Sequence, residues 1–243
     1  MGRKIVGGLI AIVLLLAIIA GGVFGYRWWL DRPVNPLVAD GAAELAVMNF
    51  AQPVALDSPA PGWRHRTFLT RPAMTISLAV KDDVPALRCT TDGSGSIFGR
   101  FADIDLGAYP ELAWTWLIEK PVESPLDERT AEGDDHPARL FLQFETGDGA
   151  EHSVEVIWAN KLFKPGEYKY IGTFPHYVAN GGHENVGKWF EERIDLLKIY
   201  RETSKRQDTP RVKFVGIFCD TDDTKMSSVA YFGKVWLTKK VGE

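Results

Sequence analysis

Between residues 111 and 158, apolar side chains recur at every second position. Leu112, Trp114, Trp116 and Ile118 share one face of an extended segment, as do Leu140, Leu142 and Phe144, and Val154, Val156 and Trp158. A period of two marks a strand with one side turned to a core. Such strands must bury that side against a second layer, so repeated short runs confine the chain to an all-β architecture, and a β-sandwich is expected. Strands are predicted at 75–80, 85–91, 96–104, 111–118, 138–144, 154–158, 212–219 and 229–237. One segment differs: over 191–202, Ile194, Leu197 and Tyr200 stand at helical spacing among charged residues, the pattern of a short amphipathic helix packed on the sandwich.

The N-terminus obeys another constraint. Residues 5–26 carry no charge, and 22 residues of helix span roughly 33 Å, enough for a hydrocarbon core of about 30 Å. Ile18 spoils the best signal-peptidase site before Ala20, so an uncleaved signal-anchor is expected. Arg27, Trp28, Trp29 and Arg32 suit the headgroup boundary beyond it. Gly21 and Gly25 form a GxxxG, a pattern so common in membrane helices that it specifies no dimer. The expected order is therefore a cytoplasmic N-terminus at 1–4, a transmembrane signal-anchor at 5–26, a Pro-rich juxtamembrane stalk at 27–61, and the sandwich at 62–243. This places the protein in an inner membrane, single-pass, with its C-terminal domain in the periplasm or outside the cell. A formal charge of −4, with Arg3 and Lys4 at the extreme N-terminus, supplies no positive field for nucleic acid.

Enzyme motifs fail individually. The 182–188 stretch has phosphate-loop spacing, but Trp189 stands where Ser or Thr should ligate magnesium. His183-Glu184 opens like a zinc-protease helix, yet Gly187 occupies the second His position. Neither Ser94 nor Ser96 sits in a G-x-S-x-G elbow. The five histidines are scattered, and nothing in their spacing joins them. Two acidic segments are better candidates. Asp220, Asp222 and Asp223, with Thr224, crowd carboxylates into one turn, which suits either calcium held by Asp220, Asp222 and Asp223 or a solvated turn whose side chains satisfy backbone amides. Asp134 and Asp135 open a predicted strand and are expected to pair with Arg139, cap a turn, or reach a sugar hydroxyl. Paired carboxylates also admit glycan cleavage by a hydrolase or lyase. Periodicity assigns Trp114, Trp116 and Trp158 to the core, leaving Trp189, beside Lys188 in a Gly-rich segment, as the tryptophan expected to be exposed or to pin a helix.

In order along the chain, Gly62-Trp63, Tyr109-Pro110 with Trp114 and Trp116, Gly133-Asp134-Asp135 with Ala138-Arg139, Gly187-Lys188-Trp189, Asp220-Thr221-Asp222-Asp223-Thr224 and Tyr231-Phe232-Gly233 resemble the bacterial domain of unknown function 3047 family. The resemblance spans residues 63–237, with departures at Asp223, where the family tends to carry Asn, at Lys234, where it tends to carry Asp, and around Ile194 to Ile199, where an Arg-Asn-Val stretch is blurred. It implies an exported or membrane-attached bacterial protein and a jelly-roll-like, galactose-binding-like sandwich, without an established activity. The expected function is a membrane-tethered binding module for envelope glycan or a partner protein, needing no cofactor unless calcium occupies the acidic turn. Its candidate ligand residues are Asp134, Asp135, Arg139, Lys188, Trp189, Asp220, Asp222, Asp223 and Thr224. Cys89 and Cys219 lie in separate predicted strands. An extracytoplasmic address permits a disulfide, apolar strands equally suit packed thiols, and both states remain open.

Overall fold

The computed structural model describes residues 32–239, together with Leu15, Ala17, Ile18, Gly21, Gly22 and Gly25. Apart from these six positions, the expected signal-anchor at 5–26 and the cytoplasmic residues before it lie outside the described residues. Among the described residues, no helix is long and apolar enough to cross a membrane. The chain divides into two compact units, Met1–Val34 and Asn35–Glu243.

The second unit is an all-β sandwich with one short α-helix. Its strands are β1 (Leu37–Val38), β2 (Glu44–Met48), β3 (Trp63–Arg66), β4 (Thr75–Lys81), β5 (Val84–Asp92), β6 (Gly95–Asp105), β7 (Glu111–Lys120), β8 (Arg139–Glu145), β9 (Glu151–Ala159), β10 (Tyr168–Ile171), β11 (Phe174–Gly181), β12 (Trp189–Asp195), β13 (Arg211–Asp220) and β14 (Ser227–Thr238), with α1 (Leu196–Ser204) between β12 and β13. An eight-stranded sheet runs β1-β6-β13-β8-β9-β11-β10, with β3 also on β6. A six-stranded sheet runs β12-β7-β14-β5-β4, with β2 also on β14.

All eight expected strands form, and the alternating runs of β7, β8 and β9 place their apolar sets between the sheets. Trp116 of the small sheet meets Trp158 of the large sheet edge-on at 5.8 Å, and Trp114 at 5.2 Å. All three indoles are buried, as periodicity predicts. Truncating one such ring to Ala costs about 3–5 kcal/mol in a packed core.

Two expectations change. The stalk does not hold over its C-terminal part, since β1 pairs in parallel with β6, and β2 pairs with Val235–Thr238 of β14, beyond the stretch that β5 covers. Leu45, Val47, Met48 and Phe50 are consequently buried. The prolines do break the segment, but into edge pieces of the sandwich instead of a free spacer. The helix expected over 191–202 begins only at Leu196. Residues 189–195 instead add β12 to the free edge of β7, where ladder hydrogen bonds and burial of Ile194 outweigh helical spacing. Asp195 ends the strand and caps α1, its carboxylate accepting from the Lys198 amide at 2.8 Å.

Cys89 of β5 and Cys219 of β13 face each other across the core and form a disulfide, with Cα atoms 6.7 Å apart. Period two turns both inward from opposite sheets, so strands that are not neighbours in either sheet still meet. The bridge joins the two layers across 130 residues of sequence, for which chain entropy predicts about 5 kcal/mol of stabilisation. The denatured, unreduced protein is therefore expected to take up no alkylating agent, and two equivalents after reduction. Reduction should lower the urea midpoint; intact-mass spectrometry showing two alkylated thiols before reduction would contradict the bridge.

Candidate functional site

The same alternation that sends Leu140, Leu142 and Phe144 inward sends Arg139 to the outer face of the large sheet, and it does likewise for Glu155 of β9, His176 of β11 and Lys169 of β10. The connection from β7 to β8, residues 121–138, lies against them and adds Glu128, Asp134 and His136. Arg139 is 2% exposed. Its Nη2 donates to both Asp220 oxygens at 2.7 and 2.9 Å, and its Nη1 donates to Glu155 at 2.6 Å. Arg139 also donates to the Asp134 main-chain carbonyl and, at 3.4 Å, to its carboxylate. Lys169 Nζ donates to Asp134 Oδ1 at 2.5 Å and to His136 Nε2 at 3.0 Å.

An ammonium can only donate, so His136 accepts at Nε2 and carries its proton at Nδ1, which donates to the Trp158 carbonyl at 2.9 Å. Burial, reinforced by the Lys169 charge, pushes His136 down to about 4. Burial works against ionised Asp134, but Arg139, His136 and His176 hold it well below the usual carboxylate range. Glu155 is likewise held low, against burial, by Arg139 and His176. Burial pushes Asp220 the other way despite the grip of Arg139. Glu128 seals the rim, accepting from the Asn160, Lys161 and Leu162 amides at 2.7, 3.1 and 2.9 Å. Asp134, with 16% of its side chain exposed, is where the network reaches solvent.

The acidic turn docks beside it. Asp135 accepts from the Thr224 amide at 2.6 Å and the Asp223 amide at 3.4 Å, so the second carboxylate of the 134–135 pair caps the turn. Asp135, Asp222 and Asp223 each offer an oxygen within 4.8 Å of the others. Of the calcium set expected from spacing, Asp222 and Asp223 belong to that group, while Asp220 accepts from Arg139. Arg71 reaches Asp222 at 2.5 Å and supplies positive charge there.

The opposite face opens only toward β10. Tyr168 and Tyr170 of β10 and Tyr177 of β11 turn inward, toward α1 and β12. The Tyr168 ring lies 5.4 Å from Tyr177 and 6.4 Å from Tyr170, and Tyr170 is 47% exposed. Tyr168 donates its hydroxyl to Glu202 of α1 at 2.6 Å. Glu192 of β12 accepts at Oε1 from Asn180 at 2.7 Å and from the Trp116 indole at 3.3 Å. Burial raises the Tyr177 phenol, and the charges of Glu202 and Glu192 raise it further. Aromatic faces and fixed acceptors thus share one shelf.

A family of proteins of unknown function, DUF3047, matches residues 61–236. The chain belongs to the DUF3047 family. The two family-like motifs at 133–139 and 220–224, far apart in sequence, are therefore joined by the Arg139–Asp220 and Asp135–Thr224 contacts. Among solved structures, the chain is similar to the family 30 carbohydrate-binding module of a cellulosomal cellulase of Clostridium thermocellum, at 11% identity and a TM-score of 0.46, covering 83% of this chain and 100% of that one. A carbohydrate-binding module specific for non-crystalline cellulose, CBM28, is similar at 12% identity and a TM-score of 0.35, with 82% and 99% covered. The family 11 xylanase from Neocallimastix patriciarum is similar at 10% identity and a TM-score of 0.36, with 84% and 98% covered. No curated protein matches.

Of the residues expected from sequence, Asp134, Asp135, Arg139, Asp220, Asp222, Asp223 and Thr224 come together. Lys188 and Trp189 do not. Trp189 opens β12 in the small sheet, half-buried against Ala86, Leu117 and Tyr231, with its indole donating to the Lys81 carbonyl at 3.3 Å. Lys188 donates to the Glu184 carbonyl. Trp189 therefore pins an edge strand, not a helix. His136, His176, Glu155, Lys169 and Glu128 escaped the sequence reading because register, not spacing, unites them. The tyrosines at 168, 170 and 177 escaped it too, although the i, i+2 spacing of Tyr168 and Tyr170 was a signal for a shared face.

Neutral, buried His136 makes stability depend on pH. Its folded value of about 4 lies below the ordinary 6.5, so between these limits the unfolded chain binds a proton that the folded chain does not. Its contribution is complete above 6.5 and is lost as pH falls toward 4, on the order of 3 kcal/mol in all. Half-buried His65 and His152, also lowered by burial, act in the same direction. Urea unfolding of His136→Asn across pH 7.5 to 4.5 should show a pH dependence shallower by about one proton, even though the variant is less stable throughout. An unchanged slope would exclude His136 as the source.

Proposed function

We propose that the protein is a membrane-tethered, extracytoplasmic module that binds envelope glycan on the tyrosine shelf. The observation that carries this reading is the triplet Tyr168, Tyr170 and Tyr177, partly open to solvent and flanked by Glu192 and Glu202. A pyranose has an apolar face and a rim of hydroxyls. A tyrosine ring meets the first while its own hydroxyl and neighbouring carboxylates meet the second. Glu192 is already oriented by Asn180 and Trp116, so little order must be lost on binding. The motif cluster around Arg139 is closed on nearly every side and is best understood as what holds the loop at 121–138 and the strands behind the shelf. The uncharged run at 5–26 supports the tether, and the inter-sheet disulfide supports an oxidising compartment.

Titration of the full chain in detergent with neutral, N-acetylated and uronate hexasaccharides tests the binding reading. Tyr170→Ala, which removes the exposed ring with little loss of core, is expected to weaken the bound oligosaccharide by roughly tenfold or more, in line with about 1–3 kcal/mol for an aromatic stacking contact. Glu192→Gln should weaken it as well, and the oligosaccharide should be recovered uncleaved. Equal binding by Tyr170→Ala and wild type would remove the shelf from consideration. In cells, the intact N-terminus should remain with the membrane fraction through a carbonate wash, and release by washing would contradict the tether.

A further inference from the structure

β10 has four residues and pairs only with β11. On its inner face Tyr170 is 47% exposed and Tyr168 is half-buried, so apolar burial there holds the strand weakly. The residue between them, Lys169, is 2% exposed and points through to the ionic network. Its ammonium ends on Asp134 at 2.5 Å and His136 at 3.0 Å, both supplied by the loop at 121–138. Its register partner His176 lies 3.2 Å from Glu155 and 3.6 Å from Asp134, while Tyr168 pairs with Tyr177 on the other side of the same two strands. Each side of β10 thus depends on the other: a shift that breaks the Lys169 ion pair also moves both tyrosines.

We infer that Lys169 is a positioning residue for the tyrosine shelf, so that the Asp134–Lys169 ion pair on the outer face of the large sheet sets affinity for glycan on its inner face. This rests on the glycan reading above for its ligand, but not for its structural part. A buried ammonium without its carboxylate is costly, and the cheapest relief is for the short edge strand to swing Lys169 into water. That motion carries Tyr168 and Tyr170 away from Tyr177 and separates Tyr168 from Glu202. Asp134 and His136 then act on the shelf through Lys169, without touching ligand.

The test uses the full chain in detergent, carrying Asp134→Asn, Lys169→Met, or both. Backbone hydrogen exchange is read over 168–177, with 111–120 as the internal reference. Binding is titrated with β-1,4-linked glucose and N-acetylglucosamine hexasaccharides. Asp134→Asn is expected to speed exchange in 168–171 but not in 111–120, and to weaken the hexasaccharide by roughly tenfold. The double variant, which removes both charges, should lose no more affinity than either single one, because both act on the same contact. Ile217→Ala, a core truncation, should lower the melting temperature but leave affinity unchanged, which separates positioning from general instability. Unchanged exchange at 168–171 in Asp134→Asn overturns the inference, as does faster exchange with wild-type affinity. If Lys169→Met does not fold, Asp134→Asn alone gives the same decision. Failure of the wild-type chain to bind these or a uronate hexasaccharide would refute the glycan reading, while the exchange comparison would still decide whether Lys169 anchors β10.

Discussion

Arg139 is buried, and an arginine cannot shed its charge to suit its surroundings. The ionic network on the outer face of β8, β9 and β13 follows from the need to surround that guanidinium. Asp220 arrives from β13, Glu155 from β9 and Asp134 from the loop before β8, so one side chain gathers two neighbouring strands and a connection. Buried ion pairs of this kind contribute little net stability, since desolvation offsets much of their attraction, but removing one partner leaves the other stranded. What they supply is geometry. The loop at 121–138 has many polar attachments, and it is held in one place because each of Arg139, Lys169 and Glu128 needs the partner that the loop or the facing hairpin brings.

The strands that carry this network have a second side. Period-two alternation makes β9, β10 and β11 two-faced: Glu155, His176 and Lys169 turn outward, while Val156, Tyr177 and Tyr168 turn inward. Near the middle of the sheet the inner side is sealed by the small sheet, and Trp158 packs against Trp116. Toward β10 that cover gives way to α1 and the edge strand β12, and the tyrosines reach solvent beside Glu192 and Glu202. A closed charged face and an open aromatic face are therefore separated by the thickness of one sheet. This is why β10, a short edge strand, links the two.

The core was legible from the chain. Trp114, Trp116 and Trp158 announced their faces, and all eight strands read from alternation exist. Strands β1, β2, β3, β10, β11 and β12 were not legible. They are short, or mixed in pattern, and they form because a neighbour offers an unpaired edge: β2 takes the part of β14 that β5 leaves, and β12 takes the edge of β7. Helical spacing at Ile194, Leu197 and Tyr200 was real, yet it straddles a strand and a helix, because an edge ladder can overrule local preference. Trp189 looked exposed in a glycine-rich stretch and is half-buried for the same reason.

Sequence by itself determined the fold class, the three core tryptophans, and the two acidic segments, because these depend on residue type and on repeats of a few positions. Tertiary structure alone decided which carboxylate meets which partner. Asp220 joined Arg139 and not the turn beside it, Asp135 capped that turn from 85 or more residues away, and the scattered His136 and His176 became neighbours. It also decided that Cys89 and Cys219 bond, since two inward-facing residues on different sheets meet only when the sheets stack. The physical reason is range. Periodicity records which way a side chain points, whereas pairing charges and sulfurs requires the register and stacking of strands that the sequence leaves far apart.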